Sequence, residues 1–550
     1  MEKKLKRNIF IGAAWPYANA SLHLGHIAAL MPADIIARYY RQKGDDVLFV
    51  SGSDCHGTPI ILAAEAEKTT PEKVSKKYHQ EFIETLIDGL QFSYDNYTTT
   101  LTQNHTRVVQ EFFTKLNNNG DISIKEQKLP YCPKCEKFLP DRYMEGTCPK
   151  CNFKDARGDQ CDSCGQMLDP EDLIEPRCKT CSTKPEFKDT KHFFLNLSKK
   201  EGVVKELLKN STGWRKNAVG FTNKYLNEGL KDRAITRDIS WGIDIPLDGY
   251  DDKKIYVWFD AVCGYLSASK EICDENEKWK KFWENKDAIH YYVHGKDNIP
   301  FHTIIWPIML DGFGGLKQPD YIISSEYLTL EKKQFSKSRK WAIWAKDILG
   351  VFEADLVRFY LTINSPETSD SDFSWHDFQN RINSELIGNF GNFVNRTASL
   401  IANNYSNGIA IKSESGYLQS VKKLFRKVGE QIECGDLREA LKTIIKISGD
   451  GNKYLAENEP WKLLKSDRDK SENVLANCAC SIACIQTLIN PFLPTTAENI
   501  SKIFDFKESG WEPNTDTTFS VREPKILFEK IEDSTIEEQI KMLNSGESSK

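Results

Sequence analysis

At 550 residues, the chain is long enough for about three domains of roughly 150 residues each. Apolar residues make up 40% and charged residues 28%, which is ordinary for a globular protein with a sizeable core. The net charge of −5 gives no sign of nucleic-acid binding, although a local basic face could still bind RNA. We find no secretory signal and no run of the ~20 apolar residues that a membrane span requires, so we expect a cytoplasmic protein without a membrane partner.

The first motif follows a short β-prone run, Ile9 to Ala13, and a turn-prone Pro-Tyr-Ala-Asn. The pattern becomes helical near Leu24, which predicts a buried parallel strand, a turn and a helix N-terminus. Free backbone N–H groups at such a terminus bind phosphate. His23 and His26 would add donors, and Gly25 leaves room for a purine ring. The alternative is a chance His-x-Gly-His in a helix, and the motif is not a Walker loop.

A second β-prone run, Val47 to Ser53, leads directly into Asp54-Cys55-His56-Gly57-Thr58-Pro59. Residues just past the carboxyl end of a strand line the ligand crevice of an open α/β sheet. Asp54 and His56 should therefore face the same crevice as the first motif. We assign residues 1–119 to the first half of a Rossmann-like, nucleotide-binding sheet.

The composition changes sharply over residues 120–189, where long apolar periodicity disappears. This window holds four Cys-x-x-Cys pairs, namely Cys132/Cys135, Cys148/Cys151, Cys161/Cys164 and Cys178/Cys181. Eight thiolates are enough for two closed, tetrahedral zinc sites of the structural kind. A redox role is the alternative for a single pair, but four pairs in one window favour zinc knuckles. The pairing stays open: the two inner pairs have the shortest linker and could share one ion, with the outer pairs forming the other site.

The rest of the chain divides by its patterns into four further segments. Residues 190–325 return to α/β character and complete the split sheet. The junction 326–375 contains Gln334-Phe335-Ser336-Lys337-Ser338-Arg339, in which a lysine between two serines suits a mobile phosphate clamp, although any solvated loop can contain such residues. Residues 376–530 have few strand-like runs and predict an α-helical bundle. Residues 531–550 are polar and predict a tail that ends in disorder.

Together these motifs resemble the methionyl-tRNA synthetases of class I over nearly the whole chain, in the archaeal or eukaryote-like type with extra zinc knuckles. The histidine motif before the serine-lysine-serine motif is the signature order of that class. Synthetases for leucine, isoleucine and valine carry a far larger editing insertion than this window allows. The stretches that match are Pro16-Tyr17-Ala18-Asn19, His23-Leu24-Gly25-His26, Asp54-x-His56-Gly57-Thr58-Pro59, Arg237-Asp238-x-Ser240-Trp241-Gly242, Tyr256-Val257-Trp258-Phe259-Asp260-Ala261, Gly295-Lys296-Asp297-Asn298, Phe301-His302 and Phe335-Ser336-Lys337-Ser338.

The resemblance implies a methionine–tRNA ligase that works in two steps. The methionine carboxylate attacks the α-phosphorus of ATP with magnesium assisting, and the methionyl adenylate then acylates the 3′ end of an initiator or elongator methionine tRNA. The resemblance implies catalytic roles for His23, His26 and Lys337. It implies ATP binding by Gly25, His23, His26, Lys296, Asp297, Ser336, Lys337 and Ser338.

By the same resemblance, Asp54 and the Tyr17 region would hold the amino group of methionine, and aromatic rings would pack on its polarizable sulfur. For Trp258 and Phe301 the alternative is ordinary core packing. The methionine-binding set implied is Trp15, Tyr17, Asp54, Trp258, Ala261, Val262, Tyr265, Phe301 and His302.

In the predicted bundle, Asn392 and Arg396 lie four residues apart and so share a helix face. With Trp461 they match the family's anticodon readers, since splayed bases are read by edge hydrogen bonds and stacking. Without the resemblance, Asn392 would be a surface residue and Trp461 a packing residue.

Three residues depart from the family pattern. Gln334 stands where a lysine is usual, Trp15 where leucine is frequent and Val262 where proline is frequent. Loss of the lysine is the one feature that favours a non-catalytic tRNA-binding zinc protein of the same fold. A small-molecule nucleotidyltransferase would explain neither the knuckles nor the bundle. The familiar C-terminal appendage is not evident, so we expect a monomer, with room for a separate tRNA-binding protein in trans.

Overall fold

The chain alternates strands and helices in its first part and is almost wholly helical afterwards. The computed structural model describes residues 6–139, 143–158, 161, 163–164, 168, 170–273, 277–336, 340–506 and 510–546. The strands are β1 (Asn8–Ala13), β2 (Asp46–Ser53), β3 (Asn96–Thr99), β4 (Ile122–Cys132), β5 (Lys137–Phe138), β6 (Met144–Thr147), β7 (Ala156–Arg157), β8 (Ile174–Cys178), β9 (Glu186–Leu195), β10 (Gly213–Trp214), β11 (Arg233–Ala234), β12 (Thr236–Arg237), β13 (Lys254–Ile255), β14 (Ile289–Gly295), β15 (Tyr321–Ser325), β16 (Leu328–Leu330), β17 (Ser371–Phe373), β18 (Ile409–Ala410) and β19 (Thr518–Phe519).

The α-helices are α1 (Leu24–Gln42), α2 (Thr58–Glu67), α3 (Pro71–Ile83), α4 (Gln103–Asn118), α5 (Glu201–Lys209), α6 (Lys216–Glu228), α7 (Val257–Cys273), α8 (Lys280–Trp283), α9 (Trp306–Phe313), α10 (Ala345–Leu349), α11 (Ala354–Ile363), α12 (Trp375–Arg381), α13 (Asn392–Asn404), α14 (Gly416–Glu433), α15 (Leu437–Asn458), α16 (Pro460–Ser466), α17 (Arg468–Ile489), α18 (Pro494–Ile503) and α19 (Asp533–Ser545). Within the described residues, three π-helical segments occur, at Glu84–Gly89, Phe301–Ile305 and Ile382–Gly391.

A six-stranded parallel sheet, in the order β10-β15-β14-β1-β2-β3, forms the centre of the first part. Strand β1 pairs with β14 on one side and β2 on the other, so Ile11 lies opposite both Tyr291 and Phe49. The strand order reverses between β14 and β1, and a crevice opens outside the carboxyl ends of strands at such a point. Strands β1 to β3 precede the cysteine-rich window and the other three follow it, which confirms the predicted split parallel sheet.

Helix α1 lies between this sheet and the helical bundle, and it is buried on nearly every side. The Tyr39 hydroxyl donates to Glu433 at the end of α14 (2.7 Å). The fully buried Arg358 of α11 donates to Asp34 of α1 (2.7 Å) and to the carbonyl oxygen of Phe492 (2.8 Å). The hydrogen bonds of Tyr39 and Arg358 therefore tie α1 to the bundle. Removal of either Arg358 or Asp34 would leave an uncompensated buried charge.

The cysteine-rich insertion is built on a long antiparallel ribbon of β4 and β9. Its register runs from Ile122 opposite Leu195 to Tyr131 opposite Glu186. Strands β6, β7 and β8 form a separate small sheet beyond the ribbon. The ribbon begins at Ile122, inside the window of 120–189 predicted for the insertion, but β9 continues past it to Leu195. The domain boundaries stay predictions.

The bundle begins at α12 and packs around α17. Over its most apolar 18 residues, α17 has a mean hydropathy of 1.3, enough in length and composition to cross a membrane, but 83% of that window is buried inside the protein. Among the described helices it alone passes that test. Its contacts with α13, α14, α15, α16 and α18 account for its apolar surface as the core of the bundle.

Most of the predicted C-terminal tail is helical rather than disordered. Helix α19 covers Asp533–Ser545, and Ile536 and Leu543 are buried within it. These two residues are seven positions apart, so they lie on one helix face. That face packs near α12, and the tertiary contact stabilises a helix that the polar composition does not predict. The expectation of disorder is therefore wrong for Asp533–Ser545, whereas residues 547–550, at the end of the predicted tail, lie outside the described residues.

Candidate active site

Two histidines cap the N-terminus of α1. His23 is the N-cap residue, and its Nδ1 accepts from the Gly25 N–H (3.1 Å). The Nδ1 of His26 accepts from the His23 N–H (3.1 Å), and the two rings stack with centroids 3.8 Å apart. Because both Nδ1 atoms accept, each neutral ring carries its proton on Nε2. The positive end of the helix dipole thus has two imidazoles with their donor nitrogens turned away from the backbone.

Gly25 has a structural reason to be glycine besides the predicted room for a purine. A Cβ at this position would lie 3.0 Å from two ring atoms of His23 and 3.7 Å from Phe335. The first of these distances is tighter than ordinary contact, so a side chain would disturb the histidine cap.

The junction segment docks directly on this cap. The Phe335 ring stacks on His23 with centroids 4.6 Å apart and planes at 10°. Ser336 and Trp341 pair through both backbone hydrogen bonds (2.8 and 2.9 Å), and the Leu24 N–H donates to the carbonyl oxygen of Ile343 (3.1 Å). The two halves of the predicted ATP site, over three hundred residues apart in the chain, are therefore in contact.

Residues 337–339 of that segment lie outside the described part of the chain. Lys337 and Ser338 lie outside the described residues, so their roles stay predictions. Gln334, the departure from the family pattern, is described and exposed, next to Phe335.

Lys296 and Asp297, also predicted for ATP, follow β14 at the crevice. The Lys296 ammonium lies 2.7 Å from Glu326 and 2.8 Å from Asp370. The Tyr327 hydroxyl donates to Asp297. The charge of Lys296 is therefore shared with two carboxylates, and any contact with ATP competes with these ion pairs.

Asp54 is a buried carboxylate beside the first turn. Its N–H donates to the carbonyl oxygen of Pro16 (2.9 Å), and its own carbonyl oxygen accepts from Ala18 (2.8 Å). The side chain accepts from the His56 N–H (3.3 Å). Burial, and then the charge of Asp260, raise the pKa of Asp54 well above its usual range. A cation bound here would restore the charged form, which suits an ammonium group.

Asp260 bridges two histidines in the interior. Its Oδ2 lies 2.7 Å from His56 Nδ1, and its Oδ1 lies 2.5 Å from His105 Nε2. Burial favours a raised pKa, but the charges and hydrogen bonds of the two histidines outweigh it and lower the pKa of Asp260 to about 2. The bridge joins α7 and α4 to the loop that carries Asp54. Sequence reasoning missed His105 because its partner lies 155 positions away.

The structure brings the predicted methionine-binding aromatic residues together. The rings of Trp258 and Phe301 stack with centroids 3.9 Å apart and planes at 11°. Tyr17 meets Trp258 edge-on at 6.0 Å. The Tyr265 hydroxyl bonds His302 Nε2 at 2.7 Å. Such rings form the polarizable surroundings that suit a thioether.

The protonation of His302 follows from its neighbours. Its Nδ1 lies 2.9 Å from the carbonyl oxygen of Asn298, which can only accept, so Nδ1 carries the proton. Nε2 therefore accepts from Tyr265. Burial lowers the pKa of His302 to about 4, which keeps the ring neutral.

The remaining predicted positions lie on α7. Ala261 is half-buried, three residues after Trp258, and Tyr265 follows one turn later on that face. Val262, at the position often held by proline, is buried in the core of the catalytic domain. Trp241, to which sequence reasoning gave no role, donates from Nε1 to the carbonyl oxygen of Cys55 (2.7 Å) and lies edge-on to His56, as part of the same wall.

Trp15, whose bulk the family pattern does not explain, occupies a slot between two glycines. A Cβ on Gly52 of β2 would lie 2.5 Å from the indole, and one on Gly264 of α7 would lie 2.7 Å from it. Side chains at either position would collide with the ring. The tryptophan is therefore accommodated by the absence of side chains on the two flanking elements, and it stacks on His105 at 6.0 Å.

The eight cysteines gather in two clusters. The outer pairs form one, Cys132, Cys135, Cys178 and Cys181, and the inner pairs form the other, Cys148, Cys151, Cys161 and Cys164. Sulfur separations are 3.4 and 3.9 Å in the outer cluster and 3.6 and 3.9 Å in the inner one. A tetrahedral site with Zn–S bonds of ~2.3 Å has S···S edges of about 3.8 Å, so both clusters fit zinc and neither has the spacing of a disulfide. The hydroxyl and N–H of Thr183 lower the pKa of Cys181 to about 6, which favours the thiolate ligand.

The insertion contacts the catalytic domain through α2, which starts at the end of the Asp54 motif. The Tyr143 hydroxyl donates to Glu65 (3.3 Å), and Lys137 pairs with the same carboxylate (3.5 Å). Ile61 and Leu62 pack on the apolar residues around the cysteines. These contacts connect the cysteine-rich insertion, through α2, to the wall of the crevice.

The predicted anticodon residues form a patch on the bundle. Helix α13 starts at Asn392, and Arg396 lies one turn further along it. The Arg396 guanidinium is 5.6 Å from the centre of the Trp461 ring, which is 36% exposed. The three residues therefore combine a hydrogen-bonding edge, a cation and an open aromatic face.

Comparisons with known proteins agree with this arrangement. The family model for class I tRNA synthetases (M) matches residues 9–398, and that for the anticodon binding domain of methionyl tRNA ligase matches residues 406–547. Methionine–tRNA ligase 1 of Alkaliphilus oremlandii is 46% identical over 540 residues, covering 98% of this chain and 99% of that protein. Methionine–tRNA ligase of Streptococcus pneumoniae is 45% identical over 538 residues, covering 97% and 98%. The Mycobacterium tuberculosis methionyl-tRNA synthetase in complex with methionyl-adenylate has a similar fold, with a TM-score of 0.79, 22% identity and coverage of 95% and 99%.

The two relatives compared over the whole chain come from bacteria, so the expected archaeal or eukaryote-like type is not borne out. Four cysteine pairs do not by themselves assign a chain to that type. Similarity over the whole length to ligases also favours an enzyme over a non-catalytic binding protein. With both family models matched in order along its length, the chain belongs to the methionyl-tRNA synthetases of class I.

Proposed function

We propose that this methionine–tRNA ligase activates methionine in the crevice outside the carboxyl ends of β1 and β14. The observation that carries the proposal is the reciprocal histidine cap of α1 in contact with the junction segment, with buried Asp54 directly after the neighbouring strand β2. Anion-directed donors and a cation-directed carboxylate thus line one crevice, as the joining of ATP to an amino acid requires.

The α1 N-terminus, His23 and His26 supply stabilisation for the first step. The carboxylate oxygen of methionine attacks the α-phosphorus of ATP, and the bond to pyrophosphate breaks. Negative charge grows on the phosphoryl oxygens, and the Nε2–H groups can donate to them from two rings whose orientation is held by backbone hydrogen bonds. We assign Lys337, Ser336 and Ser338 to the leaving pyrophosphate.

Asp54 and the aromatic pocket hold methionine. The ammonium group of the substrate would neutralise the buried carboxylate of Asp54, while Tyr17, Trp258, Phe301 and His302 would surround the side chain. In the second step, the terminal ribose hydroxyl of the tRNA attacks the acyl carbonyl and AMP leaves. This scheme needs no covalent intermediate on the protein.

We propose two structural zinc ions, one in each cysteine cluster, and magnesium as the counterion of the ATP phosphates. Zinc would supply cross-links that replace a hydrophobic core in the insertion. Metal analysis tests this assignment, with two zinc ions expected per chain. A value well below two would contradict it.

We propose that the anticodon of initiator and elongator methionine tRNAs is read by Arg396, Trp461 and Asn392. Arg396 and Trp461 offer a cation and a stacking surface for an unstacked base. We further propose a monomeric, cytoplasmic enzyme, with a separate tRNA-binding protein in trans as an optional partner.

The central experiment is amino-acid-dependent exchange of pyrophosphate into ATP. Methionine should support exchange, and valine and leucine should not. Exchange with valine or leucine and none with methionine would overturn the substrate assignment. Absence of exchange with every amino acid would favour a non-catalytic tRNA-binding protein.

A further inference from the structure

Two asparagines next to the patch of Asn392, Arg396 and Trp461 form a chain of side-chain amides with Asn392. This chain of Asn389, Asn452 and Asn392 is here named the amide relay. Asn452 lies on α15, and it stands between the other two. Its Nδ2 donates to the Asn389 carbonyl oxygen (2.9 Å) and to Asn389 Oδ1 (3.2 Å). Its Oδ1 accepts from Asn392 Nδ2 (3.3 Å).

The polarity of this relay is determined by backbone groups that can only accept. The Asn389 amide donates to the carbonyl oxygen of Ile445 (3.4 Å), so its Oδ1 is turned towards Asn452. Asn452 must in turn direct its NH₂ group to the Asn389 carbonyl oxygen. A flipped amide at either position would place two oxygens against each other. Asn392 therefore faces an acceptor, the Oδ1 of Asn452, and has to direct its NH₂ group inwards to this atom.

The relay lies at a change of helix type. Asn389 belongs to the π-helical segment Ile382–Gly391, and α13 starts at Asn392. Single π-helical segments inside α-helices are frequent at functional sites. The altered register here places the Asn389 carbonyl oxygen within reach of an amide from α15.

We propose that Asn452 is a positioning residue that makes Asn392 present its carbonyl Oδ1 to the anticodon. The inference rests on the proposed role of Asn392 in anticodon reading. An outward acceptor at Asn392, next to the guanidinium donors of Arg396, is complementary to the base edge of cytosine, which offers an amino donor beside two acceptors. Uracil offers a carbonyl where cytosine has its amino group, and it would meet the Asn392 oxygen with another oxygen. Cytosine is the first base of the anticodon that pairs with the methionine codon.

The test measures charging of two methionine tRNAs that differ only in C or U at the first anticodon position. The readout is the ratio of their kcat/KM values, with methionine-dependent exchange in the absence of tRNA as the check on the catalytic site. Asn452→Leu should lower the C-to-U ratio by about tenfold, since a well-formed base contact contributes discrimination of that order. Asn458→Leu is the matched control, because Asn458 lies on the same helix and donates to Tyr454 rather than to the relay.

A second substitution separates positioning from support of the fold. Asp at position 452 keeps an acceptor towards Asn392 but sets a charge against two oxygens of Asn389. The relay predicts that Asn452→Asp retains more of the C-to-U ratio than Asn452→Leu. A merely structural role predicts that Asp does at least as much harm. If Asn452→Leu does not fold, Asn452→Ser, which is polar but too short to join both neighbours, should show the same tenfold loss.

The C-to-U ratios of the Asn452 variants decide whether Asn452 positions Asn392. A ratio within twofold of the wild-type value in Asn452→Leu or Asn452→Ser overturns the inference, as does an Asp variant that falls as far as the Leu variant. Asn392→Ala shows whether the anticodon role itself fails. If Asn392→Ala also keeps the wild-type C-to-U ratio, the proposed reading of the anticodon by Asn392 is wrong. If Asn392→Ala loses the ratio but the Asn452 variants keep it, Asn392 reads the anticodon and only the positioning role of Asn452 is wrong.

Discussion

The proposed catalytic crevice and the proposed anticodon patch differ in how their functional side chains are held. In the crevice, polar groups are buried and locked by partners from distant parts of the chain, as Asp260 is by His56 and His105. In the patch, Arg396 and Trp461 remain accessible, and short-range helix geometry brings Asn392 and Arg396 onto one face. Chemistry on ATP requires groups that are fixed before charge develops, whereas a base must be able to stack and leave.

This difference implies that the two regions can be disabled separately. Substitutions in the crevice should affect pyrophosphate exchange without tRNA. Substitutions in the patch should affect only the charging of tRNA. If the two regions are coupled through α1 and its buried ion pair with Arg358, a substitution in the patch should also change the rate of pyrophosphate exchange.

The largest effect is expected for His26→Ala. Removal of one preorganised donor aimed at developing charge costs about 100- to 1000-fold in kcat. Pyrophosphate exchange at saturating methionine and ATP measures the loss. His26→Asn is the control for the cap, because an asparagine oxygen can still accept from the His23 N–H. It should unfold at the wild-type temperature yet remain defective, and full activity in either variant would contradict the role of the imidazole.

Asp54→Asn should come next. The amide keeps the shape and can still accept from the His56 N–H, but it cannot neutralise an ammonium group. Loss of one member of a buried charge pair costs about 2–5 kcal/mol, so KM for methionine should rise by about 100-fold or more. Exchange kinetics over a range of methionine concentrations measure this, with the KM for ATP as the internal control. An equal rise in both KM values would show a general disturbance of the crevice.

Trp461→Ala should have a smaller effect, confined to tRNA. Loss of one stacking contact costs about 1–3 kcal/mol, which predicts roughly a tenfold fall in kcat/KM for the methionine tRNA. Exchange without tRNA should be unchanged. Ile526→Ala is a suitable control, since Ile526 is a 76% exposed apolar residue within the same range of residues, 406–547, that the anticodon-domain model matches. A fall in exchange would mean that the two regions are coupled more tightly than this comparison suggests.

The smallest effect is a displacement of a pH profile. In the free enzyme, burial and Asp260 raise the pKa of Asp54, so below that pKa the carboxyl is protonated and attracts the ammonium weakly. The bound ammonium favours the charged form and lowers the pKa again. Because kcat/KM reports the free enzyme and kcat the complex, the acid limb of kcat/KM for methionine should lie at higher pH than that of kcat. Coincident limbs, or an unchanged kcat/KM limb in Asp54→Asn, would contradict this.

Much of the architecture was predictable because short stretches carry it. The run from Ile9 to His26 contains the strand, the turn and the helix start within a few residues, and the structure places them as predicted. The same holds for the second strand before Asp54 and for the helical face of Asn392 and Arg396. Such elements depend on local propensity and periodicity, which a sequence displays directly.

The cysteine clusters could be predicted only in part from the sequence. The pairs themselves were evident, whereas their grouping into outer and inner clusters was one of several possibilities. The ribbon of β4 and β9 ends with Tyr131 opposite Glu186, so Cys132 at the end of β4 lies near the segment that precedes β9. That segment carries Cys178 and Cys181, which complete the outer cluster, and the spacing alone does not require this grouping.

The sequence by itself determined the local elements, the family resemblance and the residue types of both sites. Only the tertiary structure decided that Trp15 fits between Gly52 and Gly264, that Asp260 joins two histidines, and that a polar C-terminal stretch is the helix α19. In each case the deciding contact joins residues far apart in the chain, and its energy comes from packing or from pairing buried charges. Those terms exist only once the topology has placed the elements side by side.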